Sequence, residues 1–242
     1  MKKYTLCSLL FDTVSDYHTN LETLLSFINV ADERCVIVAP EVCLTGFDYD
    51  NMEEMLAFAP HATQALKDVS RNKIIILTML EHREDGVYNV AKVFHNGEVV
   101  YERAKAKLFR FGDEHKYMLE GSEEDFEIVE VDGIKLAVFI CFELRFKTFW
   151  QKSEGADVIA LSSWWGKLRS EHFRVLTQAL AVMNQCYVVA SDSQNIECTG
   201  LSGIIDPQGR AKYNGNAPCL SEPYNKKEIA LMRRYMDVGI DG

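Results

Sequence analysis

The chain alternates between apolar runs of strand length and segments whose apolar residues recur at helical spacing. Several runs are continuous rather than alternating, which is typical of strands covered on both faces. The predicted strands lie at residues 4–11, 35–39, 73–80, 87–94, 135–140, 157–162 and 186–191. The predicted helices lie at residues 16–30, 51–70, 144–154 and 170–185.

Two tight turns add hairpins to this alternation. Asn96-Gly97 separates one pair of apolar runs and Asp132-Gly133 another, as in two-residue β-hairpin loops. Strands that alternate with helices, with hairpins between them, predict a layered α/β domain with its helices on the outside. No linker or internal repeat interrupts the pattern, so residues 1–242 are predicted to form one domain.

The net charge, the apolar runs and the cysteines of the chain exclude several classes of protein. The 242 residues carry a net charge of -10, and an acidic surface repels a phosphate backbone, so nucleic acid is not expected as a partner. The first apolar run stops at Asp12 and is predicted to be a buried strand rather than an export signal. No run is long enough to span a membrane. The seven cysteines are irregularly spaced, so we expect free thiols in a cytoplasmic protein.

Three chemically distinct side chains follow predicted strands directly. Glu41 ends the segment CVIVAPE, Lys105 ends EVVYERAK, and Cys141 ends KLAVFIC. Side chains at the carboxyl ends of strands converge at one edge of a sheet. We therefore expect an acid, an amine and a thiol to lie close together.

This set suits acyl transfer. A thiol attacks a carbonyl carbon, a carboxylate takes the thiol proton, and an ammonium stabilises the developing oxyanion. Lys105 is also expected to favour the thiolate and so to lower the pKa of Cys141. Each residue alone also fits an ordinary role, as an acid at a helix start, a solvated lysine or a cysteine in the core.

Four segments resemble, in order, the sequence blocks of the nitrilase superfamily of carbon–nitrogen hydrolases. They are PEVCLTGF, KAKLFRFGDEHKYMLEG, ICFELRF and GLSGIIDPQG. The stretches LFRFGDEH and WGKLRSEHF are most similar to the omega-amidase branch. The resemblance covers about residues 4–210 and implies an α/β fold of the four-layer α-β-β-α sandwich type.

The resemblance also implies roles for four residues. It places Glu41, Lys105 and Cys141 in a catalytic triad, with Glu114 beside them as a second acid. It implies a homodimer and neither a metal nor an organic cofactor. The six histidines agree, because their spacing matches no metal-binding motif.

Further candidates concern substrate binding. They are Phe142, Trp165, Arg110, Arg169 and Arg145. The backbone N–H of Phe142 is expected to stabilise the oxyanion together with the lysine. Trp165 is expected to form a pocket wall, whereas its neighbour Trp164 is expected to be structural. The arginines at positions 110 and 169 are the candidates for binding a substrate carboxylate. Glu143 and Arg145 are either solvated or salt-bridged residues of a first helical turn or substrate contacts.

The sequence departs from the superfamily pattern near these blocks without losing a member of the triad. Lys107, Glu143 and Lys147 replace the usual His, Asp and Pro, and Leu180 and Met183 replace an Arg and a Glu. These differences do not change the predicted triad chemistry. They affect what can be expected of the local helix packing and of the substrate preference.

Together these features predict a hydrolase that cleaves the carbon–nitrogen bond of a small amide through a cysteine thioester, releasing ammonia and a carboxylic acid. The omega-amidase resemblance implies an acidic 2-keto-acid amide as substrate. A nitrilase, an N-carbamoyl amide hydrolase and a non-catalytic binding relative remain alternatives. A serine hydrolase based on Ser202 has less support, because GLSGI lacks the Gly-x-Ser-x-Gly motif.

Overall fold

The computed structural model describes residues 4–240, in which twelve strands form two six-stranded sheets. The first sheet has the order β12 (Cys219–Pro223), β1 (Thr5–Leu9), β2 (Cys35–Val38), β3 (Ile74–Arg83), β4 (Gly86–His95) and β5 (Glu98–Ala104). The second has the order β11 (Ala211–Tyr213), β10 (Gly203–Ile205), β9 (Tyr187–Asp192), β8 (Val158–Ser163), β7 (Ile134–Ile140) and β6 (Val129–Val131). In each sheet three parallel strands are flanked by antiparallel ones.

Five α-helices accompany the sheets. They are α1 (Tyr17–Val30), α2 (Met52–Val69), α3 (Lys147–Lys152), α4 (Ser170–Asn184) and α5 (Lys226–Tyr235). The first two connect the parallel strands of the first sheet, and α3 and α4 connect those of the second. Asp16 caps the start of α1, where its Oδ1 accepts from the backbone N–H of His18 at 2.9 Å. The arrangement is the predicted four-layer α-β-β-α sandwich.

Both faces of the first sheet are buried at its central strands. In β2, Val36 and Val38 belong to the core between the sheets, whereas Cys35 and Ile37 face the core beneath α1 and α2. All four side chains are at most 1% exposed. Alternate residues of a strand point to opposite faces, so a strand covered on both sides is apolar at every position. This explains the continuous hydrophobic runs.

The strands and helices predicted from hydrophobic spacing are all present, and one helix is shorter than predicted. Residues Cys141–Arg145 form a 3-10 turn, and α3 begins only at Lys147 instead of residue 144. The prediction lacks β11, β12 and α5. The single-domain prediction spans residues 1–242, of which 1–3 and 241–242 lie outside the described residues, and it stays a prediction.

Two further expectations concern the whole chain. Within residues 4–240, no helix combines the length and the apolar character that crossing a membrane requires. All seven cysteines have free thiols, as predicted, and Cys219 is the one that is partly exposed.

Candidate active site

The structure brings together the three residues that follow predicted strands. Glu41 lies three residues beyond β2, and Lys105 and Cys141 directly follow β5 and β7. Because β4 is antiparallel to both of its neighbours, β5 runs in the same direction as β2. The carboxyl ends of β2 and β5 therefore lie at one edge of the first sheet, and Cys141 reaches them from the second sheet.

Lys105 lies between two carboxylates. Its Nζ donates to Glu41 Oε1 at 2.7 Å and to Glu114 Oε1 at 2.8 Å. All three side chains are at most 7% exposed. An ammonium has three N–H donors, so one remains for another acceptor.

The carboxylate of Glu41 is held in one orientation. Its Oε1 also accepts from Asn89 Nδ2 at 2.8 Å, and its Oε2 accepts from the backbone N–H of Trp164 at 3.1 Å. The thiol of Cys141 is close enough to the same carboxylate for each group to shift the pKa of the other. The acid is therefore placed to take the thiol proton.

Glu114 is held by the loop that follows β5. It begins the 3-10 turn Glu114–Lys116 directly after Asp113, whose φ of 61° lies in the left-handed region. Short polar side chains such as Asp adopt this conformation more readily than most. The Oε2 of Glu114 accepts from the backbone N–H of Phe109 at 2.8 Å. One carboxylate thus joins the lysine to the loop that carries Phe109.

Cys141 begins the 3-10 turn that directly follows β7. Its φ is 42°, in the left-handed region that non-glycine residues seldom adopt. A backbone conformation of this kind costs about 1–3 kcal/mol and persists where the surrounding structure holds it. The turn ends the strand and presents the thiol at the edge of the sheet.

The pKa of the Cys141 thiol is raised well above its ordinary value. Burial is the main cause, and the negative charge of Glu41 adds to it. Lys105 lowers the pKa, as predicted, but this effect is smaller than the other two. The expectation of a lowered pKa is therefore wrong in its net direction. The resting side chain is a thiol that needs a base.

The charges around the thiol favour its deprotonation by Glu41. Burial raises the pKa of Glu41, and the ammonium of Lys105 only partly offsets this. Burial alone would lower the pKa of Lys105, but the two carboxylates beside it outweigh burial and raise the pKa. Lys105 is therefore charged, and Glu41 is a stronger base than an ordinary carboxylate.

A small pocket opens over Cys141. Its walls are Phe109, Phe142, Arg145, Trp164, Trp165, Gly166 and Arg169. Four of the five predicted binding residues are therefore in place. Arg110 lies outside this lining, exposed in the 3-10 turn Arg110–Gly112.

Arg145 and Arg169 reach the pocket without a carboxylate partner. The guanidinium of Arg145 lies 4.7 Å from the centroid of the Trp165 ring, and its Nη2 is 3.2 Å from His172 Nδ1. The guanidinium of Arg169 lies 5.1 Å from the centroid of the Phe109 ring. Within the part of the chain that the structure describes, neither forms an ion pair. Burial, and then the nearby Arg169, lower the pKa of Arg145.

Two contacts of Glu41 are not predicted from the sequence. Asn89 bonds to Glu41 from within the apolar run of β4, and a polar residue buried in such a run is the signal for it. Trp164, expected to be structural, holds Glu41 through its backbone N–H and lines the pocket as well.

Two other residues from the sequence blocks are committed to buried contacts. Glu143 is fully buried and paired with Arg103, so it is a salt-bridged residue of a 3-10 turn rather than of a helix. The hydroxyl of Ser202 donates to the backbone carbonyl of Asp192 at 2.9 Å and accepts from the N–H of the same residue at 2.8 Å. Ser202 is therefore occupied structurally.

Comparison with known proteins defines the family. The family model of the carbon–nitrogen hydrolases matches residues 7–214. A 2-oxoglutaramate amidase from Bacillus subtilis is 31% identical in an alignment of 226 positions that covers 88% of this chain and 86% of the relative. The omega-amidase YafV of Escherichia coli is 28% identical over 210 residues, covering 84% and 81% of the two chains. The chain therefore belongs to the carbon–nitrogen hydrolase family, as its sequence blocks predict, and it is a hydrolase of carbon–nitrogen bonds.

The fold agrees with this assignment. A solved member of branch 10 of the nitrilase superfamily, from Saccharomyces cerevisiae, superimposes with a TM-score of 0.84 at 21% identity. The match covers 98% of this chain and 96% of that chain. It confirms the predicted nitrilase-like sandwich.

Proposed function

We propose that the protein is an omega-amidase, which hydrolyses the terminal amide of a short acid through a thioester on Cys141. One observation carries the proposal: a thiol with its own base and ammonium, Glu41 and Lys105, opens into a pocket that contains two arginines with no carboxylate partner among residues 4–240. The names of the two amidase relatives support the same class of substrate.

The first half of the reaction forms the thioester. Glu41 accepts the thiol proton while Sγ of Cys141 bonds to the amide carbon and the carbonyl electron pair moves to oxygen. The remaining N–H donor of Lys105 and the backbone N–H of Phe142 stabilise this oxyanion. The carbon–nitrogen bond then breaks, and Glu41 returns its proton to the nitrogen, which leaves as ammonia.

The second half hydrolyses the thioester. Water attacks the acyl carbon while Glu41 takes one of its protons, and the oxyanion forms again between the same donors. The carbon–sulfur bond breaks, the carboxylic acid leaves, and Glu41 returns the proton to sulfur. Glu114 keeps Lys105 in place throughout, because its carboxylate holds both the ammonium and the loop at Phe109.

Arg145 and Arg169 bind the carboxylate at the far end of the substrate. Lys105 is committed to the reacting carbonyl, so a second cation is needed for a second anion. A guanidinium binds a carboxylate with two parallel hydrogen bonds. The two pocket arginines are better placed for this than Arg110, which lies outside the lining.

Arg145→Ala and Arg169→Ala should each lower kcat/KM for 2-oxoglutaramate by about ten- to a hundredfold, because each removes charge-assisted hydrogen bonds. The loss should be much smaller for a neutral amide of the same length, which has no carboxylate to bind. Arg174→Ala is the matched control, since its guanidinium is paired with Glu171 on the outside of α4. Equal losses on both substrates would contradict carboxylate binding. The same assay on Arg110→Ala decides between the pocket and the loop arginine.

Ammonia release across a substrate panel tests the proposed function itself. The panel holds an acidic amide, a neutral amide of the same length, a nitrile and an N-carbamoyl compound. We expect the acidic amide to give the highest kcat/KM. Preference for the nitrile or the carbamoyl compound would replace the omega-amidase assignment with another activity of the same family. Release from none of the four would favour a binding role.

We also propose that the enzyme works in the cytoplasm as a homodimer. The seven free thiols support a reducing compartment, and the superfamily resemblance supports the dimer. Light scattering on the purified protein should return twice the mass of one chain. A mass equal to one chain at micromolar concentration would contradict the dimer.

A further inference from the structure

A second buried ion pair lies beside the catalytic network. The guanidinium of Arg103 donates to both carboxylate oxygens of Glu143, with 2.8 Å between Nη1 and Oε1. Both side chains are 0% exposed, and neither lines the pocket. The pair can therefore influence the reaction only through the residues that it holds.

The carboxylate of Glu143 binds the backbone on both sides of the site. Its Oε1 accepts from the N–H of Ala106 at 2.8 Å, and its Oε2 accepts from the N–H of Ile140 at 2.8 Å. Ala106 directly follows Lys105, and Ile140 directly precedes Cys141. One carboxylate thus sets the position of the chain next to the ammonium and next to the thiol.

The guanidinium of Arg103 joins the same two segments. Its Nη2 and Nε donate to the carbonyl of Val138 at 2.7 and 3.2 Å, and its Nη1 donates to the carbonyl of Ala104 at 3.2 Å. Val138 belongs to β7 of the second sheet, and Ala104 belongs to β5 of the first. The pair therefore ties the two sheets together where the catalytic lysine and cysteine leave them.

A purely stabilising role does not account for such a pair. Removing two charges from water is costly, and apolar side chains of similar volume often serve a core as well or better. What apolar side chains cannot supply are acceptors for the two backbone N–H groups. The positive φ of Cys141 also needs a surrounding structure that holds it.

We propose that Arg103 and Glu143 are positioning residues, which keep the Cys141 thiol at reacting distance from Glu41 and Lys105. Neither touches the substrate. Without the pair, the backbone at Cys141 relaxes and the thiol moves away from its base. The turnover test of this inference rests on the proposed function. The second test, chemical modification of the Cys141 thiol, does not.

Three variants test the pair. Arg103→Lys keeps the charge but cannot span Glu143 and Val138 with a planar fork. Arg103→Met removes the charge. Glu143→Gln keeps the shape but replaces one acceptor oxygen with a donor, so one of the two backbone N–H bonds is lost.

The ion pair between Arg34 and Asp132, which is partly exposed, provides a control with similar contacts. Its N–O distance is 2.6 Å, and the Arg34 guanidinium lies 4.4 Å from the centroid of the Tyr4 ring, much as Arg103 lies 4.9 Å from that of Phe126. None of its residues contacts the catalytic network. Arg34→Met therefore changes a similar pair that has no positioning role.

Two measurements separate positioning from stability. The first is kcat and KM for 2-oxoglutaramate, and the second is the rate at which iodoacetamide modifies Cys141, followed by peptide mass spectrometry. Both are expressed per folded molecule, with the folded fraction taken from circular dichroism at the assay temperature.

Arg103→Met and Glu143→Gln should lower kcat by about ten- to a hundredfold with little change in KM, because small displacements of reacting groups cost this much. The rate of Cys141 modification should change as well. Arg103→Lys should lose less, and Arg34→Met should change only the unfolding midpoint. A wild-type kcat per folded molecule in Arg103→Lys would overturn the proposal, even where the other two variants fail to fold.

Different results would contradict the proposed function and the positioning role. If the wild type releases no ammonia from any amide, the omega-amidase assignment fails, and modification of Cys141 still tests the pair. If the wild type is active and the variants match it in both kcat and modification rate, only the positioning role is wrong.

Discussion

Replacing Cys141 with alanine is expected to lower kcat by at least about 10⁴-fold while the protein stays folded, because the nucleophile of a covalent mechanism has no substitute. Cys141→Ser should be almost as inactive, since a hydroxyl ionises far less readily than a thiol. The change removes one atom from a side chain that already lies at the edge of the sheet. Ammonia release and thermal unfolding, measured on the same samples, check both halves of this prediction.

A covalent adduct gives independent support for the same nucleophile. Mass spectrometry of the wild-type enzyme during turnover should show an acyl group on the peptide that contains Cys141. Cys219→Ala is the matched control, because Cys219 is partly exposed and lies outside the pocket. Turnover near the wild-type rate in Cys141→Ala would mean that another group attacks the substrate.

The convergence of the three candidate catalytic residues is predictable because topology places them together. Glu41, Lys105 and Cys141 each end an apolar run, and strand ends that share an edge converge whatever the loops do. Local sequence was enough for this. It was also enough for the central strands, which are apolar at every position because both faces are covered.

The contacts that support the set were not predictable from local sequence. Arg103 lies in β5 of the first sheet, and Glu143, 40 residues further along the chain, lies in the 3-10 turn that follows β7 of the second sheet. Hydrophobic spacing describes one element at a time, so it does not indicate which charged residues meet across two sheets. The burial of this ion pair is also not predicted by the sequence, because a charged residue near a strand end is usually solvated.

The arginines proposed to bind substrate show a similar limit. Sequence blocks offered Arg110 and Arg169 equally, and left Arg145 undecided. Short 3-10 turns then decide which side chains face the pocket, and their direction is set by tertiary contacts rather than by periodicity. Strands β11 and β12 and helix α5 escaped prediction for a related reason, because they are short and half-exposed and carry few buried apolar residues.

Glu41→Gln is expected to lower kcat by about 10²–10⁴-fold, the usual contribution of a general acid–base residue. The amide of glutamine keeps the shape of the carboxylate and can still accept from Lys105 or Asn89, so the fold should survive. It cannot take the thiol proton or return it to the leaving ammonia. Glu171→Gln, on the exposed side of α4, is the control and should retain wild-type turnover.

The same substitution should make Cys141 more reactive toward iodoacetamide while turnover falls. Burial and the negative charge of Glu41 raise the pKa of the thiol, and Lys105 lowers it. Removing the charge of Glu41 takes away one of the raising effects and leaves the lowering effect of Lys105, so the pKa of Cys141 falls. At a fixed neutral pH a larger fraction is then thiolate, which is the form that reacts with iodoacetamide. If turnover and the rate of modification both fall, Glu41 holds the thiol in place rather than acting as its base. Loss of a base lowers turnover without lowering the reactivity of the thiol, whereas displacement of the thiol lowers both.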